Sequence, residues 1–276
     1  MKINKLRKIY PSLLDDMKNV KWRRLTDAEF DKSIKEPQII ANCYDEATRY
    51  ALLASKKGRE IFRNRIWIQK NSTTPAYKLK ININGKEEFF RTNPQDYWGK
   101  YSNITTAYWN NDPFKYKRLS LGVNIAVNKM VEKHPFMKPL ISRFYMFGLC
   151  ENNGCEYNIP SNAFKWYTGK QPKSIGEKGL NINLKKYKDE VYNELNKLKN
   201  KSSKKYSYVA MTGPLRAYVT NTRSNKVKVD GWHCLPILKV NKEKQIILKD
   251  LRTREVIKIS YEDFIKKFKG LIGLDY

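Results

Sequence analysis

Residues Gly231–Arg252 read GWHCLPILKVNKEKQIILKDLR, and two strands joined by a turn account for nearly all of the stretch. WHCLPILKV and QIILKD are short apolar runs rich in Ile, Leu and Val, while Asn241-Lys242-Glu243-Lys244 between them is polar. Folded back about that turn as an antiparallel hairpin, the two ends meet, and His233 lies across from residues 250–252. Asp250 then falls within a side chain's reach of the imidazole. A carboxylate at that place holds the ring in one tautomer, leaves its other nitrogen to face a partner and stabilises the imidazolium. The ordinary alternative is a histidine at a strand start beside an unrelated turn aspartate.

The neighbouring sequence extends the β pattern in both directions. YSYVAMT, RAYVTNT and EVIKIS read as further strands, and YEDFIKKFKGLIGLDY as a short helix and a closing strand. The first half differs. CYDEATRYALLASKK, residues 43–57, puts Cys43, Ala47, Tyr50, Ala51 and Ala54 on one stripe at helical spacing, with Gly58 marking its end. YKLKININGKEEFF is a hairpin whose Asn84-Gly85 supplies the turn. RLSLGVNIAVNKMVEKH, residues 118–134, is a second and buried helix, and LKKYKDEVYNELNKLK, residues 184–199, a third. A loop-rich stretch over 148–179, with Pro160 and Pro172, marks a subdomain boundary. The chain divides into a basic, partly helical N-terminal arm (1–35), with Leu13, Leu14 and Met17 as its apolar face, a helix-rich subdomain (36–150) and a β-rich subdomain (151–276).

With 276 residues there is room for a proper buried core, and 41% hydrophobic residues argue against disorder. Set against 27 acidic residues, 55 Lys and Arg give a formal charge of +28, which suits nucleic acid or an anionic surface. The bland reading is a surface loaded with Lys for compositional reasons. The positive residues are scattered over nearly every segment, without the arginine–aromatic stripes of single-strand binders. Such a surface still binds polyanions non-specifically in low salt. No run is long and apolar enough to cross a bilayer, and the N-terminus has no apolar signal core, so a cytoplasmic protein is expected. Four cysteines are too few for a disulfide scaffold, and CENNGC offers Cys150 and Cys155 either as a pair or as two thiols near a turn. His134 and His233 are the two histidines, and neither has ligand spacing with the cysteines, so no metal or other cofactor is expected.

Cys43 opens its helix. The free N–H groups and positive dipole end there favour a thiolate and can donate to an oxyanion. A cysteine on an apolar stripe is, however, ordinarily a packed structural thiol. His134 precedes Pro135 at a helix end, where a dipole-stabilised surface histidine is the ordinary reading, which leaves His233 as the candidate base. Cys234 alternates to the opposite face of the strand from His233 and reads as a packed thiol. Trp232 either walls a substrate cleft or packs in the core. A nucleophilic Cys early on a helix, with His and Asp late on adjacent strands, is the papain-type order.

From about residue 36 onward the chain resembles a divergent calpain-type catalytic core, a papain-fold cysteine peptidase. QIIANCYDEATRYALLAS resembles the segment that opens that core, IWIQ…YKLKININGKEEFF its hairpin of short strands, and RLSLGVNIAVNKMV the buried helix that follows. SNAFKWYTGK is similar to its Gly-Phe…Thr-Gly stretch, GWHCLPILKV…IILKDL to its His and Asn strands, and SYEDFIKKFKGLIGL to its closing helix and strand. The resemblance implies an α+β, papain-like fold and a cysteine endopeptidase acting on polypeptides through a thioester. It makes Cys43 the nucleophile, His233 the base, Asp250 the occupant of the family's Asn position and Gln38 the oxyanion-hole residue. The sequence departs from the family at Trp232, inserted between Gly231 and His233, and at Leu251-Arg252, which replace Pro-Trp. Gln38 stands five residues before Cys43 where six is usual; Asn42 is the fallback oxyanion donor, or simply the helix N-cap. Calcium dependence belongs to the family, but its acidic loops have no residue-by-residue match here. The competing reading is a catalytically silent papain-like domain whose basic surface binds nucleic acid or an assembly. Oligomeric state is not legible.

Overall fold

The computed structural model describes residues 21–35, 43–69, 76–101, 119–137, 159–176, 184–213, 217–221 and 225–276. These form an α+β protein with two antiparallel sheets. The first sheet is a meander of β1 (Trp22–Arg24), β2 (Ile66–Gln69), β3 (Tyr77–Ile83) and β4 (Lys86–Arg91), in the order β1-β2-β3-β4. The β3–β4 hairpin turns at Asn84-Gly85 with φ of +50° and +88°, the pair of left-handed residues that an Asn-Gly turn needs to match strand twist. Along β3 the burial alternates strictly, with Tyr77, Leu79, Ile81 and Ile83 inward.

Helices α1 (Asp27–Ile34), α2 (Cys43–Ala54), α3 (Lys56–Arg63), α4 (Pro94–Trp98), α5 (Leu119–Lys133) and α6 (Pro160–Thr168) accompany this sheet. α1 carries a full capping box, Thr26 with Glu29, and buries Phe30 against Phe62 of α3. Residues 21–35, assigned on sequence to an N-terminal arm, therefore supply a sheet strand and a core helix; Leu13, Leu14 and Met17 lie outside the described residues. Gly58 does not end the first helix. The break comes at Ser55, whose hydroxyl accepts from Gly58 N, and α3 runs straight through the glycine. A Cβ at Gly58 would stand 2.2 Å from the Leu52 carbonyl oxygen, so the glycine permits close approach rather than a cap. Nor is 148–179 all loop. Pro160 begins α6 at a position where a missing N–H costs nothing, and Gly169 closes it at φ +71°.

The second sheet has eight strands in the order β5-β12-β6-β9-β10-β11-β7-β8. They are β5 (Lys173–Ile175), β6 (Tyr206–Thr212), β7 (Ala217–Asn221), β8 (Lys226–Val229), β9 (Cys234–Val240), β10 (Gln245–Lys249), β11 (Val256–Ser260) and β12 (Phe268–Asp275). α7 (Lys188–Lys199) and α8 (Tyr261–Lys267) pack on one face, where Tyr208, Ala210, Leu235, Ile237 and Leu271 join Leu195, Leu198 and Phe264 in one core. The opposite face, through Val209, Met211, Cys234 and Ile272, joins the core that includes Ala47, Ala51, Phe164 and Leu79. Strand alternation thus gives the central strands two different apolar partners. α6 belongs to this latter core, so the sequence boundary at residue 150 precedes a helix that packs with the first subdomain.

α2 is the helix that bridges. Ser207 on β6 donates to the Ala51 carbonyl (2.9 Å) and exchanges a hydrogen bond with Ser55 (3.0 Å), while Tyr276 donates to Ser207 (3.1 Å). These bonds pin the end of α2 to β6, and the helix packs against β9 as well. The start of α2 and the start of β9 consequently face each other.

Candidate active site

The hairpin read from the sequence forms. β9 and β10 pair antiparallel about residues 241–244, with Ile246 opposite Val240 and Leu248 opposite Ile237 across a register shift. Its ends place His233 Nε2 3.1 Å from Asp250 Oδ1, both residues buried. The same carboxylate oxygen accepts from the backbone N–H groups of Arg252 (2.8 Å) and Thr253 (3.2 Å), which fix its direction.

His233 is positioned by the end of β6. Its N–H donates to Thr212 Oγ1 (2.8 Å), Thr212 N–H donates to the His233 carbonyl (2.9 Å), and Trp232 N–H donates to the Gly213 carbonyl (2.8 Å). Thr212 Oγ1 in turn donates to the Asp230 carbonyl (2.9 Å). Between these clamps Trp232 takes φ +53°, a region a bulky L-residue enters only under tertiary constraint. That turn carries the chain from β8 into β9 and delivers the ring to Cys43.

Cys43 is the first residue of α2 and is half-buried. Its Sγ lies 3.5 Å from the Trp232 carbonyl oxygen, an acceptor only the protonated thiol can use. The Cys234 thiol and the His233 ring both hydrogen-bond the sulfur, and the Cys234 backbone does so as well. With Nε2 on Asp250, the ring nitrogen left for the sulfur is Nδ1. The Cys234 hydrogen bond, more than any other contact, holds the Cys43 thiol well below its ordinary range; burial opposes this, and the bond and charge of His233 add to it. For His233, burial pulls the pKa down. The hydrogen bonds and charges of Asp250 and Cys43 outweigh it and raise the group to about 10. Asp250 is pushed up by burial but held below its ordinary value by the bond and charge of His233 and by the two backbone N–H donors. All three shifts favour a thiolate–imidazolium pair backed by a carboxylate.

Cys234 is the packed core thiol that the sequence reading expects, but the side on which it emerges differs. Strand alternation was to send it away from His233's partner, yet both meet Cys43. Pleating begins only at Cys234, while His233 and the left-handed Trp232 belong to the preceding turn, so the two-residue alternation does not apply across them. Trp232 itself is half-buried and sits on that turn rather than within a strand; its carbonyl, beside the sulfur, is what places it at the site. His134 ends α5 and pairs with Glu88 (3.1 Å), away from this constellation. Gln38 and Asn42, with Cys150 and Cys155, lie outside the described residues. Among the described residues no three His, Cys, Asp or Glu side chains converge as a metal site, and no helix is long and apolar enough to cross a membrane.

Sequence reasoning missed what supports the helix that Cys43 opens. One turn into α2, Asp45, Glu46 and Arg49 are all buried; Arg49 pairs with Asp45 (3.2 Å) and with Glu46, and the Tyr167 hydroxyl of α6 donates to Asp45. Burial pushes Asp45 up to about 6, against the charge of Arg49. The i,i+3 and i,i+4 spacing was readable, but on sequence it looks like an exposed helix pair. Thr212 carried no signal, being one polar residue in an otherwise strand-like run. The chain matches no protein-family model, and no curated protein matches it.

Proposed function

We propose that the chain is a papain-like cysteine hydrolase, calpain-like in the order of its parts, that cleaves polypeptide amides. The observation that carries this reading is a cysteine at a helix start, hydrogen-bonded to a buried histidine whose far nitrogen is held 3.1 Å from a buried carboxylate. Nucleophile, base and orienting group stand in the relation that acyl transfer requires.

In the mechanism, the Cys43 thiolate attacks the amide carbon and the carbonyl electrons move onto oxygen. Backbone N–H groups at the start of α2 can donate to that oxyanion. As the tetrahedral species collapses, the His233 imidazolium gives its proton to the leaving amine, and a thioester on Cys43 remains. Water then attacks the thioester with His233 as base, which releases the acid and restores the thiol proton to the pair. Asp250 stays ionised throughout and holds the ring.

Alkylation by an iodoacetamide-type probe, together with digestion of unfolded casein, tests this. Wild-type protein is expected to be labelled at Cys43 at mildly acidic pH, where an ordinary thiol is inert, and His233→Ala is expected to lose that labelling. Casein cleavage is expected to vanish in Cys43→Ala. A Cys43 that reacts only above the ordinary thiol pKa, together with no cleavage, refutes the reading.

A further inference from the structure

The first sheet has a second face, opposite the core, that the cysteine chemistry does not use. Cross-strand register aligns Arg24 of β1 with Trp67 of β2, Trp67 with Lys78 of β3, and Lys78 with Arg91 of β4. A second row opposes Lys80 to Phe89. The row of four spans about 14 Å at the ordinary strand spacing. Arg24 stacks 3.7 Å above the Trp67 ring, and Lys78 Nζ lies 5.1 Å from Trp67 and 4.3 Å from Phe89. The two rings meet edge to face at 5.6 Å, and Phe89 is 50% exposed. On sequence no arginine–aromatic stripe was visible; the sheet builds one from four segments spread between residues 24 and 91.

Among the described residues, no acid relieves the charge of Arg24, Lys78 and Arg91 on this face. Like charges directly opposite across a strand pair destabilise a sheet, yet Lys78 faces Arg91. The Lys78 ammonium is pulled below its ordinary pKa first by burial, then by the charges of Arg91 and Arg24. The acid on the same face, Glu87, is taken by Arg65 (2.8 Å) and Lys80 (2.7 Å), and Arg24 donates to the Arg63 carbonyl (2.8 Å). An anion seated between Arg24, Lys78 and Arg91 would relieve the repulsion. A phosphate does this, and the open ring of Phe89 beside it offers a π-face to an unpaired base. Duplexes hide that base face, and an acidic peptide or lipid headgroup has none.

We propose that the outer face of the four-stranded sheet binds single-stranded nucleic acid, with Phe89 as a stacking platform and Arg24, Lys78 and Arg91 as phosphate contacts. The proposal is independent of the cysteine site.

Fluorescence anisotropy of the full chain with a labelled oligouridylate and a labelled oligothymidylate tests it. Phe89→Leu keeps the charge and the apolar contact but removes the π-face, and it is expected to weaken binding roughly tenfold with an unchanged salt slope. Phe89→Ala is expected to do the same. Replacing Arg24, Lys78 and Arg91 with Gln is expected to lower the salt slope by about 2. A control triple, Lys204, Lys228 and Lys239 to Gln, removes the same charge from exposed sites on other elements and is expected to cost far less. The tighter of the two oligonucleotides identifies RNA or DNA as the class. Wild-type binding from Phe89→Leu, equal losses from the two triples, or preference for a duplex or for phosphatidylserine vesicles overturns the proposal.

Discussion

Asp250→Asn is the sharpest test of the electrostatics at the site. The Asp250 oxygen that faces His233 also accepts from Arg252 and Thr253 N–H, and an asparagine oxygen keeps an acceptor with two lone pairs at the same point. The substitution therefore removes the charge and spares the geometry. An opposite charge at hydrogen-bond range stabilises a buried imidazolium by about 1–3 pKa units, or about 1.4–4 kcal/mol. Both groups are nearly sealed from solvent, 5% and 3% exposed, so screening does little to reduce it. Loss of a negative neighbour destabilises the cation, so the sign is downward. His233 is expected to titrate near 10 in the wild type and about 1–3 units lower in the variant. The thiolate–imidazolium pair then persists over a narrower range, and the alkaline limb of Cys43 alkylation moves down with it. The measurement is an NMR titration of the imidazole protons. It is unusually clean because the chain has two histidines, and a His134→Gln variant assigns the other. His233 titrating near 6.5 in the wild type, or unmoved by Asp250→Asn, would refute the electrostatic account.

Three further outcomes follow from contacts around the site. Cys234→Ala removes the contact that most lowers the Cys43 thiol, so alkylation rates plotted against pH are expected to show Cys43 ionising at higher pH; an unmoved profile assigns the shift to His233 alone. Thr212→Val deletes the acceptor of His233 N–H and the donor to the Asp230 carbonyl, and is expected to cost about 1–3 kcal/mol in urea unfolding and to slow alkylation of Cys43. Arg49→Met leaves Asp45 and Glu46 buried without their cation and is expected to destabilise by about 3–5 kcal/mol. A loss under about 1 kcal/mol would mean that the cluster does not hold α2 in place.

Much of the molecule was legible from local pattern. The Asn84-Gly85 hairpin, the buried helix Leu119–Lys133 and the strands from Tyr206 onward follow from turn chemistry and periodicity, which act within a few residues. The Asp250 partnership followed too, because a hairpin's turn sets its register to within the one-residue shift at Ile247/Leu248. What short-range pattern could not supply was anything that depends on a strained turn or on packing between distant segments. The side on which Cys234 emerges turns on the left-handed backbone at Trp232, and nothing in GWHC announces it. The burial of Asp45, Glu46 and Arg49 comes from α6 closing over α2, and the basic–aromatic row on the first sheet from four strands meeting in register. The sequence alone determined the strongly periodic elements, such as Leu119–Lys133 and Tyr206–Thr212, and which hairpin brings His233 to Asp250. Only the tertiary structure decided that α2 crosses β6 and β9 so that Cys43 meets His233. That contact joins residues 190 positions apart, and the side chains that set its geometry, Thr212, Ser207 and Tyr276, have no local signature.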